Sequence, residues 1–389
     1  LIFLESIDEL KMISILQRTL DFSLLSLPIA LTFSRALVEV LLVLVILSWV
    51  LLQIILRKNP FKKNPIILPF FFFWISGVIS VVVSKYWVRS LEELLNHSEY
   101  IFLTLIALDR FRQSRNLNVF TQITLLSAFV VSLDGLFQFF FGFDFIRMQQ
   151  TSQIQGAIRL TASFSHPNSL AAYLAMVIPF VLGAFYQNRR WIYIILLPLL
   201  IFTIIFTYSR GAWIGLAVSL FVFASLQDRK LILALMALGL LSWFFLPDSL
   251  LDRIKDIYNL ENATTKMRFE LWKEAWNLFL QKPIFGHGLK TFSLLLEKGY
   301  AHNCYLQMLV ELGLFGFLSF VSILIVFFRY VLGKNSRGLS LGLGCAIVAS
   351  VVHSFSDTNL YSIPIATFFW LILGVGLAIC LLQKDSNLT

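Results

Sequence analysis

Apolar runs of about twenty residues recur along almost the whole chain, and no other feature limits its fold as strongly. Of its 389 residues only 14% are charged, whereas 58% are hydrophobic, and the mean hydropathy is +0.81. A soluble domain carries roughly 25% charged residues. Polar surface is therefore too scarce here to cover a globule in water, which excludes a soluble enzyme, a disordered chain and a disulfide-stapled secreted scaffold. The runs are continuous instead of alternating, so they read as helices and not as barrel strands. We expect an all-α polytopic membrane protein with about twelve transmembrane helices. They lie near residues 13–33, 36–56, 65–84, 97–108, 117–142, 168–187, 191–207, 211–227, 231–246, 302–328, 338–354 and 361–383. The fourth has a short apolar core, Tyr100–Leu108, and needs its flank Leu91–Ser98 to cross.

The formal charge of +9 has to be located before it is interpreted. Breaks after even-numbered spans hold Arg57, Lys58, Lys62, Lys63, Arg110, Arg112, Arg115, Arg189, Arg190, Arg229, Lys230, Arg329, Lys334 and Arg337. Short breaks after odd-numbered spans hold only Arg35, Lys85, Arg89, Arg147, Arg159 and Arg210. The positive-inside rule then places both termini in the cytoplasm. It also turns the charge surplus into a matter of topology, with no nucleic-acid partner. Cys304, Cys345 and Cys380 show no metal-ligand spacing and read as inert packing residues. No cleavable signal peptide stands out, and a start at Leu1 suggests that a few residues precede it.

We divide the chain into N-terminal helices (1–142), central helices with outer arginine motifs (143–246), a long extracytoplasmic loop (247–301) and C-terminal helices (302–389). In this topology the unusual polar sequences all face outward. In the long loop, basic residues such as Arg253 and Arg268 are nearly balanced by acids, so it is not a polyanion patch. Its centre, Thr264–Leu280, reads as an amphipathic helix capped by Thr264 or Thr265, with Phe269, Trp272, Trp276 and Phe279 as an aromatic stripe at the membrane interface. Pro283 and Gly286 end it, and the pair Gly286 and Gly288 permits a tight turn or a close backbone approach. The strongest local signal is Ala301-His302-Asn303, where this loop enters a membrane helix, with Gln307 and Glu311 one and two turns on. Ionisable groups in that setting are costly and point to function. The competing reading is that His302 only hydrogen-bonds the helix entry.

Taken in order, these motifs carry a resemblance. Arg159, then Ser165-His166-Pro167-Asn168-Ser169, then Tyr208-Ser209-Arg210-Gly211-Ala212-Trp213 resemble the O-antigen ligase and polymerase superfamily of bacterial membrane glycosyltransferases. So do Arg268-x-x-x-Trp272, Pro283-Ile284-Phe285-Gly286-His287-Gly288, Ala301-His302-Asn303, Glu311-Leu312-Gly313-Leu314-Phe315-Gly316 and the closing His353, Asp357 and Pro364. The match runs from Arg159 to the end, and the first four or five spans agree in hydropathy alone. His287 stands where a small apolar residue is usual, and the outer loops hold no evident acceptor-binding domain.

The resemblance implies a fold related to the large membrane glycosyltransferases, in the bacterial inner membrane, with an extracytoplasmic active site. It implies transfer of a glycan from undecaprenyl pyrophosphate to an acceptor hydroxyl, without a metal or other cofactor. A ligase uses lipid A core as acceptor; a polymerase extends a growing glycan. The chemistry of the residues is compatible with this. Guanidinium forks pair with phosphate oxygens and stay charged in a half-apolar site, and a neutral imidazole suits deprotonation of a hydroxyl. We expect His302 as base, with Arg210 and Arg268 beside it in catalysis. Arg159, Asn168, Asn303, Gln307 and Asp357 are expected to bind substrate or support the site. Besides the ligase and the polymerase, the many spans also allow a third reading, a transporter of a small anion. Against that stands the lack of paired charges deep in the bundle, where Asp134 and Glu311 are isolated.

Overall fold

The computed structural model describes residues 2–57, 64–112, 114–154, 157–243, 248–256, 259, 261–297, 299–333 and 336–386. Lys58, Lys62, Lys63 and Lys334 of the charge reading lie outside the described residues. The chain is helical nearly throughout. In order the helices are α1 (Ile2–Phe33), α2 (Arg35–Ile55), α3 (Ile67–Val83), α4 (Trp87–Phe111), α5 (Ser114–Phe141), α6 (Pro167–Asn188), α7 (Ile192–Ile205) and α8 (Arg210–Gln227). They continue as α9 (Lys230–Trp243), α10 (Asp248–Lys255), α11 (Ala263–Gln281), α12 (Phe292–Leu296), α13 (Cys304–Val331), α14 (Gly338–His353) and α15 (Ile363–Ser386). One feature departs from the all-α expectation. Ser152–Ile154 and Ala157–Arg159 form a two-stranded antiparallel hairpin, with Ser152 opposite Arg159.

Twelve of these helices coincide with the twelve apolar runs. Among the described residues, six are long and apolar enough to cross a membrane by length and composition: Arg35–Ile55, Asn116–Phe141, Pro167–Asn188, Arg210–Gln227, Cys304–Val331 and Ile363–Leu382. Three further apolar helices, α3, α7 and α14, are shorter. At about 1.5 Å per residue they fall below the ~30 Å of a hydrocarbon core, so length does not mark them as spans. The doubtful fourth run is one continuous helix, α4, that begins at Trp87 and includes its polar flank.

The core lies around α6, α14 and α15. The last of these is buried over 94% of its most apolar stretch, and it packs against α4, while α14 packs against both α6 and α8. Small residues set that last contact. A Cβ on Gly215 would sit 2.5 Å from the Ala349 carbonyl oxygen, and one on Gly211 would overlap the Ser356 hydroxyl. Helix backbones that close are a feature of membrane bundles, where apolar burial alone gives no preference for a helix over lipid. The consequence is functional: Arg210, at the start of α8, is held beside the end of α14.

Three helices, α10, α11 and α12, fall between residues 248 and 301, and α11 and α12 pack against α13. Ala275, Phe279, Phe292, Ala301 and Val310 form a small separate core there. α11 is capped by Asn262, whose side chain accepts from the Thr264 N–H, and not by Thr264 or Thr265. An asparagine oxygen reaches the second N–H well, and both threonines are left inside the first turn. The aromatic stripe also divides. Phe279 is buried and Trp272 half-buried, whereas Phe269 and Trp276 are each 47% exposed, because the inward face runs through Leu271, Ala275 and Phe279.

Candidate active site

The site is built on a break in α13. At Gly313 the backbone turns to φ +68° and ψ −170°, a region that only glycine occupies readily. The strap Pro283–Gly288 docks into this break through backbone hydrogen bonds. His287 N–H donates to the Val310 carbonyl at 2.8 Å and Gly288 N–H to that of Glu311 at 3.0 Å, while Leu314 N–H donates to Pro283 at 2.8 Å. The close approach that the glycines permit is thus made to protein backbone and not to a ligand. His287 is a loop residue whose Nε2 meets the Leu278 carbonyl at 2.8 Å.

The same half of α13 fixes His302. Asn303 caps the helix, its side chain accepting from the N–H groups of Tyr305 and Leu306, both at 3.0 Å. Gln307 accepts from the Ala301 N–H at 3.2 Å and donates to Glu311 Oε1 at 3.2 Å. Trp272 Nε1 donates to the Ala301 carbonyl at 3.0 Å, and Cys304 N–H donates to that of Ser354 at 2.9 Å. Pinned on both sides, His302 adopts φ +50°. That conformation is uncommon for a residue with a Cβ and persists only where the surroundings hold it. Asn303 and Gln307, expected to bind substrate or support the site, hold the helix entry in this structure and are not among the residues that line the two cavities at the site. The side-chain oxygens of both accept from backbone N–H groups, a use that residue spacing does not reveal.

His302 Nδ1 lies 3.5 Å from Asp357 Oδ1. The same oxygen accepts the Thr358 N–H at 2.8 Å, and Asp357 Oδ2 is 3.9 Å from His353 Nε2. Burial pushes the Asp357 carboxyl up, but the His302 hydrogen bond, the charge of His353 and the Thr358 N–H outweigh it and hold the group well below the usual carboxylate range. Asp357 is thus an ionised partner that orients His302.

Beside this pair a cavity of about 210 Å³ is lined by Arg159, Arg210, Arg253 and Arg268, with His166, Asn168, Tyr208, His302 and His353 also in its wall. The arginines come from four elements. Arg159 ends the hairpin, donating from Nε to the Thr207 carbonyl at 2.8 Å and from NH2 to Asn168 Oδ1 at 3.1 Å. Arg210 starts α8 and donates to the Asp256 carbonyl and to Thr265 Oγ1. Arg253, on α10, reaches the Tyr208 carbonyl at 3.3 Å and Asp256 Oδ2 at 3.5 Å. Arg268, on α11, has a buried Nε without a hydrogen-bond partner among the described residues. Burial, and then the charge of Arg253, push the Arg159 guanidinium down to about 10. Burial lowers Arg268 as well; Asp357 opposes that shift and Arg210 adds to it. Four guanidinium groups crowd one half-buried cavity whose nearby carboxylates are Asp256 and Asp357. Such a cavity is built for an anion with several oxygens.

The structure thus brings Arg159, Arg210, Arg268, Asn168, His302 and Asp357 into one place. Sequence reasoning counted Arg253 only as a loop charge. Its one local signal is a buried position three residues from Leu250 on a short helix. His353 is likewise better placed than its apolar surroundings suggested: it is 1% exposed, and its Nδ1 has no hydrogen-bond partner among the described residues. Among the described residues no group of three His, Cys, Asp or Glu side chains is arranged to hold a metal ion.

Comparison with known proteins finds matches over the stretch of chain that carries most of these residues. Residues 195–321, which include Arg210, Arg253, Arg268 and His302, match the family model for O-antigen ligase. An uncharacterized protein of Haemophilus influenzae is 25% identical over 330 residues, covering 76% of this chain and 79% of its own length. A ComP-specific O-oligosaccharyltransferase of Acinetobacter baylyi is 27% identical over 219 residues, covering 50% of this chain and 40% of its own length. The chain thus holds a central stretch, residues 195–321, that matches the O-antigen ligase family, and over half its length it is similar to an O-oligosaccharyltransferase.

Proposed function

We propose that this membrane protein is a ligase-type glycosyltransferase. It moves a glycan from an undecaprenyl-pyrophosphate carrier to an acceptor hydroxyl on lipid A core, at the outer face of the bacterial inner membrane. The observation that carries the reading is the convergence of four arginines on a cavity whose wall contains an imidazole backed by a carboxylate. The acceptor oxygen bonds to the anomeric carbon as the bond from that carbon to the pyrophosphate oxygen breaks. The bonding pair leaves on the pyrophosphate, and the hydroxyl proton passes to His302. Arg159, Arg210, Arg253 and Arg268 stabilise charge that grows on the leaving group, which lowers the barrier directly. Asp357 keeps His302 in the orientation and tautomer that leave its other nitrogen free to accept. Direct displacement inverts the anomeric centre. In this reading the loop-end site is extracytoplasmic, both termini are cytoplasmic, and the twelve helices that match the apolar runs all cross the bilayer.

A polymerase that extends a glycan would use the same donor half of the site, so the acceptor separates the two. Purified protein in liposomes is given a lipid-pyrophosphate-linked glycan with either core lipid or a second repeat unit. Product on core lipid supports the ligase, and lengthened carrier-linked chains support the polymerase. EDTA is expected to leave transfer intact, and loss of transfer restored by Mg²⁺ would contradict the metal-free displacement. If neither product forms while anion flux survives His302→Ala and Arg210→Ala, the chain is a transporter and the enzyme reading fails.

A further inference from the structure

A second cavity, of about 290 Å³, adjoins the arginine cavity. His166, Asn168 and His302 line both, so they form a common wall with the base in it. The chemistry beyond that wall is different. Tyr300, Tyr361, Ser169, Thr358 and Ser362 line the second cavity, and among the described residues no lysine or arginine does. Its carboxylate, Asp357, is already engaged by His302 and by the Thr358 N–H. The two tyrosine rings stand 6.3 Å apart at 48°, so they form an open corner instead of a stack, and Tyr300 is 44% exposed at its edge.

We propose that this second cavity is the acceptor subsite and that it takes an uncharged sugar, the terminal residue of the acceptor glycan. The inference rests on the transferase reading above and adds where the acceptor sits and what it is. Sugar rings present polarised C–H groups that suit the negative face of an aromatic ring, and their hydroxyls suit serine, threonine and tyrosine oxygens. A phosphorylated acceptor would meet the Asp357 carboxylate on this side of the common wall, whereas the four arginines line the other cavity. A sugar in the tyrosine corner turns one hydroxyl to His302 through the common wall. That oxygen then bonds to the donor's anomeric carbon, its proton goes to His302, and the electron pair of the broken bond leaves on the pyrophosphate in the arginine cavity.

The test uses the full chain in nanodiscs, a polyprenyl-pyrophosphate-linked glycan as donor, and three acceptor probes: octyl glucoside, its 6-phosphate, and a serine-containing hexapeptide. Transfer to octyl glucoside is expected to be at least tenfold more efficient than to either other probe. Tyr300→Ala is expected to raise the KM for octyl glucoside at least tenfold, with the donor KM within twofold, whereas Tyr300→Phe stays within threefold of the parent. Tyr300 is exposed, so its truncation leaves the fold intact, which the thermal midpoint checks. Preference for the phosphorylated probe or the peptide overturns the subsite, and so does an acceptor KM unmoved by Tyr300→Ala. In both cases donor turnover that depends on Arg268 leaves the transferase reading standing. Absence of any donor turnover, into probe or water, overturns that reading and the subsite with it.

Discussion

Arg268 separates binding from scaffolding better than any other residue in the cavity. Arg159, Arg210 and Arg253 each donate to backbone carbonyls, so their loss disturbs the fold as well as the site. Arg268 lines the same cavity with a buried Nε that has no hydrogen-bond partner among the described residues. A hydrogen bond from a charged donor is worth about 1.5–3 kcal/mol. At 1.4 kcal/mol per tenfold, Arg268→Ala is expected to lower kcat/KM for the lipid-pyrophosphate donor by roughly 10- to 150-fold. Its thermal midpoint should hold or rise, because the cost of burying the guanidinium is relieved. Arg268→Lys keeps a charge but not the planar fork, and should fall between the two. Inorganic pyrophosphate gives an independent readout. At a hundred times its Kd a ligand stabilises by about 2.7 kcal/mol, a shift that the parent should show and Arg268→Ala should lose. A donor kcat/KM within threefold of the parent would refute the anion-site argument. So would a fall in midpoint that accounts for all of the lost activity.

Three further outcomes are expected. Gly313→Ala places a Cβ 2.3 Å from the Ile284 carbonyl oxygen and forces alanine into a glycine-only conformation; with about 1–3 kcal/mol of backbone strain and the strap bonds at risk, it should lower the thermal midpoint and abolish transfer. Asp357→Asn should reduce kcat by on the order of 10²-fold, with little change in donor KM. Because the folded Asp357 carboxyl lies below its unfolded value, the stability it contributes is present above about pH 4 and is lost as pH falls through the folded value. The parent should therefore lose midpoint between neutral and acid pH more steeply than Asp357→Asn, as thermal scans in buffered detergent would show. Trp272→Phe removes the bond to the Ala301 carbonyl, worth about 1 kcal/mol, and should cut kcat a few-fold while leaving the donor KM unchanged.

Much of this protein was legible in its residues alone. Hydropathy is a property of each segment by itself, so twelve apolar runs marked twelve helices without knowledge of their neighbours. Arg159, Arg210, Arg268 and His302 were visible for a similar reason: a charged or titratable group beside a membrane helix is costly, and its cost marks it locally. What a side chain touches is a property of pairs, and only tertiary structure decides it. Asn303 and Gln307 stood next to His302 in sequence, yet their side-chain oxygens accept from the backbone of the first helix turn and of Ala301. Arg253 looked like one charge in a balanced loop until α10 folded it under Tyr208. Gly313 read as one residue of a motif, although its positive φ opens α13 to the strap that carries Gly286. The sequence alone determined that chemistry would collect at the ends of the helices, because burial in an apolar bundle is too costly elsewhere. The close packing of α8 on α14, the break in α13 and the fold of segment 248–301 then decided which of those groups meet, since each contact joins elements far apart in the chain.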